Sequence, residues 1–344
     1  MTVEVRTITE PARLAGLEPE WRSLARATGP LSVFQHPAWM LAWWAAFGTD
    51  TDLRVHAAFR EGRLVGLAPV AVTAQDGPDR VAVFMGAPFN DFNDFLVTPD
   101  DPGPVVTALW HMIIEDDRSW TEFQLGPIRP DAALRADGRL HSSPMVAIER
   151  GVPQPAPALA MDAGWESYRF GLDRRHRRAW ERSLERALAA HVVAVETIDD
   201  PGALHEAVER FEALRQASWA ARGRVGDLVA GQRDPRFPSF LAAACARLAA
   251  DGRCLLLDLR LDGELVAADL YLIQDQYALL YLRMFRPHAS LTSPGMALAL
   301  LGLRLLHARG VRAVSLGRGA ESYKYRLGGR DVLLERPILR RAAA

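Results

Sequence analysis

Lysine is nearly missing from this sequence: Lys324 is its only lysine, and the rest of its 41 lysine and arginine residues are arginine. Cysteine is also scarce, because Cys245 and Cys254 are too few for a disulfide framework, which predicts a reducing, cytoplasmic location. Residues 1–14 lack the apolar core of a signal peptide, and no apolar run reaches the roughly 18 residues of a transmembrane helix. Since the formal net charge is −1, no overall field draws the chain to DNA, and contact with a polyanion requires a local patch.

Two kinds of binding motif are absent as well. No group of Cys and His has metal-ligand spacing, and there is no Walker-type or dinucleotide-binding glycine loop, so no metal site is predicted. What remains is an ordinary globular composition of 344 residues, of which 49% are hydrophobic. A chain of this length can bury large cores and predicts two domains.

The two halves of the chain resemble each other at a fixed offset of 201 residues, at which residues 37–70 align without gaps on residues 238–271. Each copy begins with proline, continues as an amphipathic helix and then gives two apolar strands. The strands are joined by Glu61-Gly62 in the first copy and by Asp262-Gly263 in the second, and such pairs favour the positive φ angles of a two-residue hairpin turn. The repeat predicts two related α+β domains, although two helix–hairpin units can also look alike by chance.

The boundary between the domains is predicted in the proline-rich residues 149–164, because proline disfavours helix and interior strand. We expect domains of residues 1–155 and 156–344, each with a mixed, mostly antiparallel sheet flanked by helices. In the second domain the pattern predicts helices at about residues 165–190, 201–221, 236–250 and 294–309, a hairpin at 254–272, and strands at 277–285, 311–316 and 331–339.

Asp269 is a candidate for chemistry, because it lies in an otherwise apolar or aromatic strand where the first copy has Ala68. Alternation places Tyr271 on the same face of that strand, and it places the odd-numbered residues of the next strand, Tyr281 and Arg283 among them, on one face. If the two faces meet, a base, two phenols and a cation line one cavity. A structural ion pair between Asp269 and Arg283 explains the same pattern.

Two further segments predict anion binding. In SLTSPGM, residues 290–296, Ser293 is placed as the N-cap of a helix and Pro294 as its first residue, and free N–H groups at such a helix start attract anions; ordinary capping is the alternative. The segment 173–186 carries arginines that wrap around a helix, either as a solvated face or as a contact for a phosphate-rich ligand such as coenzyme A or tRNA. These arginines are Arg174, Arg175, Arg177, Arg178, Arg182 and Arg186.

In the first half, the segment APFNDFNDF at residues 87–95 places Asn90, Asp91, Asn93 and Asp94 among phenylalanines. Such a cluster either binds a polar substrate or builds turns in which the side chains bond to the backbone. The aromatic segment 34–47 has helical spacing and is interpreted as core.

Four segments together carry a resemblance to a known family: ALRQASWAARG (213–223), DGELVAADLYL (262–272), SPGMALAL (293–300) and GRGAESYKYRLG (317–328). They resemble the GNAT-superfamily acyltransferases of the CelD type, which are associated with cellulose biosynthesis and related to Fem-type peptidoglycan aminoacyltransferases. The resemblance covers residues 160–344 and extends into the first half through FQHPAWMLAWW. It implies two tandem GNAT-like domains, although TSPGM replaces the family's usual phosphate loop.

The resemblance also implies a reaction, the transfer of an acyl group, acetyl in the simplest case, from acyl-CoA to the amine of a small or sugar-like acceptor. Asp269 would accept the proton of the amine, and Tyr271 or Tyr281 would protonate the leaving thiolate. The donor, including its oxyanion, would be held by Leu282, Arg283, Met284, Ser293, Gly295 and Met296. The acceptor would be contacted by Asn90, Asp91, Asp94, Trp219, Arg318, Tyr323 and Lys324.

Two other functions fit the same segments. A Fem-like transferase that uses aminoacyl-tRNA requires the arginine-rich helix to present one continuous surface. A non-catalytic binding or assembly protein gains support if Asp269 is held in a buried ion pair and no cavity reaches the junction between the strand and the helix that starts at Pro294. Lys324 is interpreted as a compact charge that positions a ligand, or as the partner of Glu321 three residues earlier.

Overall fold

A computed structural model gives the structure of residues 2–28, 32–74, 80–138, 140, 143–221, 230–286, 291 and 293–341. These residues form two compact units: unit 1 contains the chain up to Gln154 together with its end from Leu333, and unit 2 contains Pro155–Val332. The chain enters unit 2 inside the proline-rich segment. It returns to unit 1 before its end, so the last residues do not stay with unit 2 as the expected domain 156–344 had them.

Unit 1 is a mixed sheet flanked by helices. Its strands are β1 (Glu4–Ile8), β2 (Asp52–Arg60), β3 (Arg63–Ala74), β4 (Arg80–Phe84), β5 (Leu96–Val97), β6 (Glu122–Gln124) and β7 (Val146–Arg150). Its helices are α1 (Pro11–Gly16), α2 (Glu18–Ala27), α3 (Pro37–Phe47) and α4 (Pro102–His111), and α4 continues into a π-helical turn at Met112–Asp116. Two-residue strands, β8 (Gln154–Pro155) and later β15 (Leu333–Leu334), lie where the chain leaves and re-enters this unit.

Unit 2 has the same kind of architecture. Its strands are β9 (Ala158–Ala160), β10 (Val193–Ile198), β11 (Cys254–Leu261), β12 (Glu264–Gln274), β13 (Tyr277–Phe285) and β14 (Ala313–Ser315). Its helices are α5 (Trp165–Gly171), α6 (Arg174–Ala190), α7 (Pro201–Ala221), α8 (Phe237–Ala249), α9 (Pro294–Ala308) and α10 (Ser322–Arg326), and the chain ends in unit 1 with β16 (Pro337–Arg341).

The sheet orders confirm the predicted mixed, mostly antiparallel α+β class. Unit 1 has the order β1-β2-β3-β4-β6-β16-β7, with β5 beside β3, and unit 2 has the order β10-β11-β12-β13-β14-β9. Two pairs are parallel, β4 with β6 and β13 with β14. The C-terminal strand β16 lies between β6 and β7, and these ladder hydrogen bonds are the physical reason that the end of the chain belongs to unit 1.

Two predicted elements are divided in the structure. The helix predicted at 165–190 breaks at Leu172, and Asp173 then starts α6 as an N-cap whose carboxylate accepts the N–H of His176. The strand predicted at 331–339 becomes β15 and β16. A buried leucine lies at each break, Leu172 in the helix and Leu334 in the strand, so tertiary packing overrides the local pattern there.

The internal repeat is a structural repeat. The hairpin turns have positive φ at Glu61 and Gly62 and again at Asp262 and Gly263, as predicted. Both hairpins also carry a β-bulge at the same place: the register shifts after Ala58 in β2 and after Leu259 in β11, 201 residues later. A bulge at a matching position is not required by a shared hairpin turn, so chance similarity of two hairpins does not explain it.

Helix α9 forms the centre of the unit 2 core. Leu298, Leu303 and Leu306 are buried against a sheet face that carries Leu255, Leu257 and Leu259. Gly302 permits close approach to the sheet, because a Cβ there would lie 2.8 Å from the hydroxyl of Tyr271. The position of α9 fixes where its first turn meets the end of β13.

Candidate active site

The strand β13 changes its pairing in the middle. It pairs with β14 only over Tyr277–Leu279, but it continues along β12 to Phe285. A β-bulge follows at once, because Leu270 faces Leu282 whereas the next residue of β12, Tyr271, faces Leu280. Bulges redirect backbone groups and are common beside active sites. The edge of β13 beyond Leu279 is therefore left without a strand partner in the described residues, and a ligand can bond to it.

The backbone of Arg283 is directed to this open edge. Arg286 donates its N–H to Val266 on β12, so by strand alternation Met284 and Leu282 also direct their N–H groups to β12. Arg283 and Phe285 then face the other way. The Phe285 carbonyl accepts a hydrogen bond from the Ser218 hydroxyl of α7 at 3.4 Å, which agrees with this direction. Of the three strand residues predicted to bind the oxyanion, only Arg283 has the required N–H direction.

The side chain of Arg283 forms a buried ion pair with Asp269. Nε and Nη2 of Arg283 both lie 2.7 Å from the two carboxylate oxygens of Asp269, which is fully buried. Burial alone would lower the pKa of Arg283, but the charge and hydrogen bonds of Asp269 raise it. Both oxygens of Asp269 are thereby engaged with a permanent cation. The predicted base is held as an ion pair, the alternative that the sequence left open.

Tyr271 and Tyr281, the two predicted acids, lie in different environments. The Tyr271 hydroxyl is 3.3 Å from Asp269 beneath α9, and burial, with the negative charge of Asp269, raises the pKa of Tyr271 well above its usual range. Tyr281 is the residue that the bulge inserts between Leu280 and Leu282. The predicted single face of 277–285 is therefore wrong, because the inserted residue puts Leu279 and Arg283 on opposite faces.

The neighbouring strands β12 and β13 and the more distant helix α10 meet at this ion pair. The guanidinium of Arg283 lies 4.9 Å above the ring of Tyr323 on α10, so the chain of contacts runs from Tyr271 through Asp269 and Arg283 to Tyr323. Three of the segments that carry the family resemblance contain Asp269, the first turn of α9 and Tyr323. In unit 2, Asp269 and Tyr323 contact Arg283, and the first turn of α9 lies against Phe285 at the end of the same strand.

The first turn of α9 lies next to the end of β13. Pro294, Gly295 and Met296 are buried, and a Cβ on Gly295 would lie 3.1 Å from the Phe285 ring. Ser293 occupies the predicted N-cap position, but its side chain makes no capping hydrogen bond. Parts of SLTSPGM, residues 290 and 292, lie outside the described residues.

The last turns of α7 approach the open edge from the other side. Ser218 bonds to Phe285, and the predicted acceptor contact Trp219 is its half-buried neighbour. One turn earlier, Glu212 and Arg215 form a buried bidentate ion pair with N–O distances of 2.7 and 2.6 Å. The burial of this pair was not predicted from the sequence, because an acid and an arginine three residues apart on a helix usually lie on a solvated face.

Lys324 holds together the loop that follows β14. Its Nζ donates to the carbonyls of Gly317, Arg318 and Gly319 at 2.9, 2.6 and 3.2 Å, and it lies 2.9 Å from Glu321. The lysine is 2% exposed. The contact with Glu321 was the predicted alternative, whereas the three carbonyls have no signal in the sequence. The ammonium is therefore a structural donor, and the half-exposed Arg318 lies on the loop that it organises.

A cavity of about 300 Å³ lies between α5, α6 and α9 in unit 2. Its walls combine two tryptophans, Trp165 and Trp180, with leucines and with the charged group of Arg169, Glu166 and Glu181. Arg169 is bonded to both glutamates. The charged groups of this wall are thus paired mainly with one another.

The arginines of α6 form one exposed stripe, which corrects the prediction that they wrap around the helix. Arg174, Arg178, Arg182 and Arg186 recur every four residues on the exposed side, and Arg175 adjoins them. Arg177 turns inward instead, with its guanidinium 4.8 Å from the centre of the Phe170 ring.

The acidic and amide side chains predicted to bind an acceptor in unit 1 are engaged inside that unit. Asn90 accepts from the indole of Trp39 and donates to Met85 and Asn93. The Asp94 carboxylate accepts backbone N–H groups of Phe95, Ala133 and Leu134 at 2.8–2.9 Å. Asp91 is buried beside them. These contacts correspond to the turn-building alternative, so no free group of Asn90 or Asp94 carries acceptor binding.

Neither a metal site nor a membrane-spanning helix is found among the described residues. No set of three or more His, Cys, Asp or Glu side chains in the described ranges is arranged to hold a metal ion. Among the helices of those ranges, none combines the length and apolarity that crossing a bilayer requires.

Comparison with known proteins identifies the domain. Residues 174–325 match the family model of the acetyltransferase (GNAT) domain. Comparison by sequence with curated proteins gives no match.

Solved structures show the same fold along the whole chain. FemX has a TM-score of 0.67 at 13% identity, with 98% of this chain and 97% of FemX covered. A tandem GNAT protein from the clavulanic acid biosynthesis pathway has a TM-score of 0.51 at 16% identity, with 99% of each chain covered. L-PGS from Bacillus licheniformis has a TM-score of 0.50 at 14% identity, with 97% of this chain and 92% of L-PGS covered. The chain therefore has a tandem GNAT fold and contains, in residues 174–325, the GNAT acetyltransferase domain of an N-acyltransferase.

Proposed function

We propose that unit 2 transfers an acyl group, acetyl in the simplest case, from acyl-CoA to an amine. The observation that carries the proposal is the open edge of β13, where a bulge directs the Arg283 N–H away from β12 beside the first turn of α9. A backbone N–H fixed in a sheet suits an oxyanion, because it needs no reorganisation as the charge develops. The helix start next to it suits the phosphates of the donor.

In this mechanism the neutral amine attacks the thioester carbonyl, a C–N bond forms and the C–S bond breaks. The Arg283 N–H donates to the carbonyl oxygen as it becomes an oxyanion. Tyr281, inserted at the bulge, protonates the departing thiolate; the proton of the amine passes to water, and water returns a proton to the Tyr281 phenolate. Asp269 is a positioning residue here, because its two oxygens hold Arg283 rather than a substrate proton.

The acceptor side is proposed to lie along the last turn of α7, which carries Trp219, and along the loop 317–319, which carries Arg318. Tyr323 is assigned to the support of Arg283, and Lys324 to the support of the loop. A small amine, including an amino sugar, is the acceptor that the resemblance of the motifs to CelD-type acyltransferases implies. Association of the donor and the amine at one edge supplies much of the rate.

Replacing Tyr281 with phenylalanine should slow transfer while replacing Tyr271 with phenylalanine should not. Loss of a general acid costs about 10²–10⁴-fold in rate, whereas Tyr271 lies beneath α9 and should affect stability alone. The measurement is release of free thiol from acetyl-CoA in the presence of a panel of primary amines, including glucosamine. Equal rates for the Tyr281→Phe variant and the unchanged protein would remove Tyr281 from the mechanism, and absence of thiol release with every amine would oppose the proposal itself.

The exposed arginine stripe on α6 favours a second candidate function, in which the donor is an aminoacyl-tRNA. Five arginines on one side of a helix can neutralise successive phosphates, and this continuity is what a tRNA-dependent transferase requires. The fold shared with FemX is compatible with this candidate.

Under this candidate, Arg178→Glu with Arg182→Glu should weaken tRNA binding at least ~10-fold and reduce its dependence on salt, because phosphate contacts release counterions. Fluorescence anisotropy with labelled aminoacyl-tRNA measures both quantities. The matched control is Arg63→Glu, an exposed arginine of unit 1. If the stripe variant binds tRNA with unchanged affinity and salt dependence, the stripe is a solvated face and acyl-CoA is the donor to test.

A further inference from the structure

Unit 1 has polar residues where its structural repeat has core leucines. At the offset of 201, Arg54 and His56 of β2 correspond to Leu255 and Leu257 of β11. Both leucines are fully buried beneath α9. His56 is also fully buried, and Arg54 is half-buried. Exchanging a core leucine layer for a guanidinium and an imidazole costs stability, so these residues require partners or a function.

His56 joins a hydroxyl to a buried carboxylate. Its Nδ1 lies 3.0 Å from the Thr7 hydroxyl, and its Nε2 lies 3.3 Å from Asp117, which is 8% exposed. Burial alone would raise the pKa of Asp117, but hydrogen bonds from His56 and Ser119 hold it below its usual range. The imidazole therefore lies between the Thr7 hydroxyl on β1 and the Asp117 carboxylate.

An irregular helix end places Asp117. The chain leaves α4 through the π-helical turn Met112–Asp116, a rare element that is frequent at functional sites. Arg341 fixes this end by donating to the carbonyls of Ile113, Ile114 and Asp117 at 3.0, 2.8 and 2.6 Å. Its guanidinium also stacks on Trp120 at 4.1 Å. The carboxylate behind His56 is therefore held by contacts from a distant strand.

Two adjoining cavities open in front of this group. The first, of about 460 Å³, is lined by Thr7, Thr9, Arg54, Arg118 and Ser119, among others. The second, of about 570 Å³, shares the wall residues Met112 and Asp116 with the first and is lined by Val3, Val5, Pro104 and Ala108. Because side chains alternate along a strand, β1 and its flanks present Val3, Val5, Thr7 and Thr9 in a row. The groove along this row is apolar at one end and polar at the other, where Arg54 and Arg118 lie beside Asp116 and Asp117.

We propose that this groove binds a small amphipathic anion, whose phosphate or carboxylate group contacts Arg54, Arg118 and the Thr7 hydroxyl while its hydrocarbon part lies along Val3 and Val5. The buried Nε of Arg54 has no hydrogen-bond partner within the described part of unit 1. Asp117, which also lines the first cavity, faces His56, whose Nε2 lies 3.3 Å from its carboxylate. Asp116 is exposed and lies 3.8 Å from His111 instead. The site is independent of acyl transfer in unit 2.

Calorimetric titration of the full chain with hexyl phosphate, hexanoate and inorganic phosphate tests the site. Hexyl phosphate should bind at least ~10-fold more tightly than inorganic phosphate, because its chain removes apolar surface from water. Hexanoate in place of hexyl phosphate shows which head group the arginines accept. Arg54→Gln and Arg118→Gln should each weaken binding of the tighter probe at least ~10-fold, since each removes a charge-assisted hydrogen bond.

Two further variants make the result specific. Thr7→Val keeps the shape of residue 7 but removes its hydroxyl, and should weaken binding about 5-fold. Arg63→Gln, at an exposed arginine of the same unit, should leave binding unchanged. Binding of neither amphiphile, or binding that survives Arg54→Gln and Arg118→Gln in variants whose circular dichroism is unchanged, would overturn the proposal.

Discussion

Replacing Asp269 with asparagine should lower the free energy of unfolding by about 3–5 kcal/mol, because it leaves the Arg283 guanidinium without its counter-charge in a buried site. Asp269 is fully buried, and its two hydrogen bonds to Arg283 are 2.7 Å long. Urea denaturation followed by circular dichroism measures the loss. The same substitution should slow acyl transfer only to the extent that the bulge of β13 loosens, since both oxygens of Asp269 are bonded to Arg283.

A double variant separates the loss of the ion pair from the cost of leaving one buried charge without its partner. Asp269→Leu combined with Arg283→Met removes both charges, and it should recover most of the stability lost by either change alone, because a buried ion pair contributes little net energy over a packed apolar pair. Glu264→Gln is the matched control: Glu264 lies on the same strand but is exposed, and its loss should cost less than about 0.5 kcal/mol. An Asp269→Asn protein of unchanged stability and abolished transfer would restore Asp269 as the general base.

Replacing Lys324 with arginine should lower the free energy of unfolding by about 2–4 kcal/mol, although the charge is kept. Three carbonyl groups and one carboxylate converge on Nζ within 2.6–3.2 Å. An ammonium has three donors around one small atom, whereas the donors of a guanidinium are spread over a wide planar fork. Arginine therefore leaves at least one buried carbonyl without its donor, at about 1–3 kcal/mol, and also overfills the site.

Arg326→Lys is the matched control, because Arg326 is exposed on the same helix and bonds only at 3.3 Å to Ser322 among the contacts described for it. It should change stability by less than about 0.5 kcal/mol. Thermal and urea unfolding of the two variants, compared side by side, decide the question. If Lys324→Arg is as stable as Arg326→Lys, the retention of one lysine in an arginine-rich chain has no structural cause in this loop.

Much of the fold could be predicted from the sequence, because its signals are local. The turns Glu61-Gly62 and Asp262-Gly263 have positive φ as their residue types require, and the strands around them alternate as written. The C-terminal return of β16 to unit 1 had no such signal. Its pairing with β6 and β7 depends on residues about 190–220 positions earlier, and strand periodicity does not identify a partner.

The sequence predicted residues of the candidate site but not the role of each of them. The meeting of Asp269 with Arg283 follows from strand alternation near the hairpin, and the structure places them opposite each other. The bulge at Tyr281 does not follow, because a single inserted residue leaves no mark in an apolar strand, and it reverses the face of every residue before it. Which backbone N–H faces the open edge depends on that bulge, so Arg283 could not be separated from Leu282 and Met284 by sequence.

The polar groups of unit 1 show the opposite case. Asn90, Asp91 and Asp94 attracted attention as a polar cluster, yet the hydrogen bonds of Asn90 and Asp94 are internal. His56 was missed, because one histidine in an apolar strand has no signal until Thr7 and Asp117 are brought beside it from distant segments. The difference between the two copies of the repeat is the signal that marks His56, since Leu257 stands at the equivalent place.

The open edge of β13 is the place where the acyl donor is proposed to bind. Amide hydrogen exchange of the full chain, with and without acetyl-CoA and resolved to single residues, tests this directly. We predict slower exchange at the Arg283 and Phe285 amides and in the first turn of α9, with the amides of Leu282 and Met284 unchanged because β12 already protects them. Saturating acetyl-CoA that leaves the amides of Arg283 and Phe285 unaffected would contradict the account.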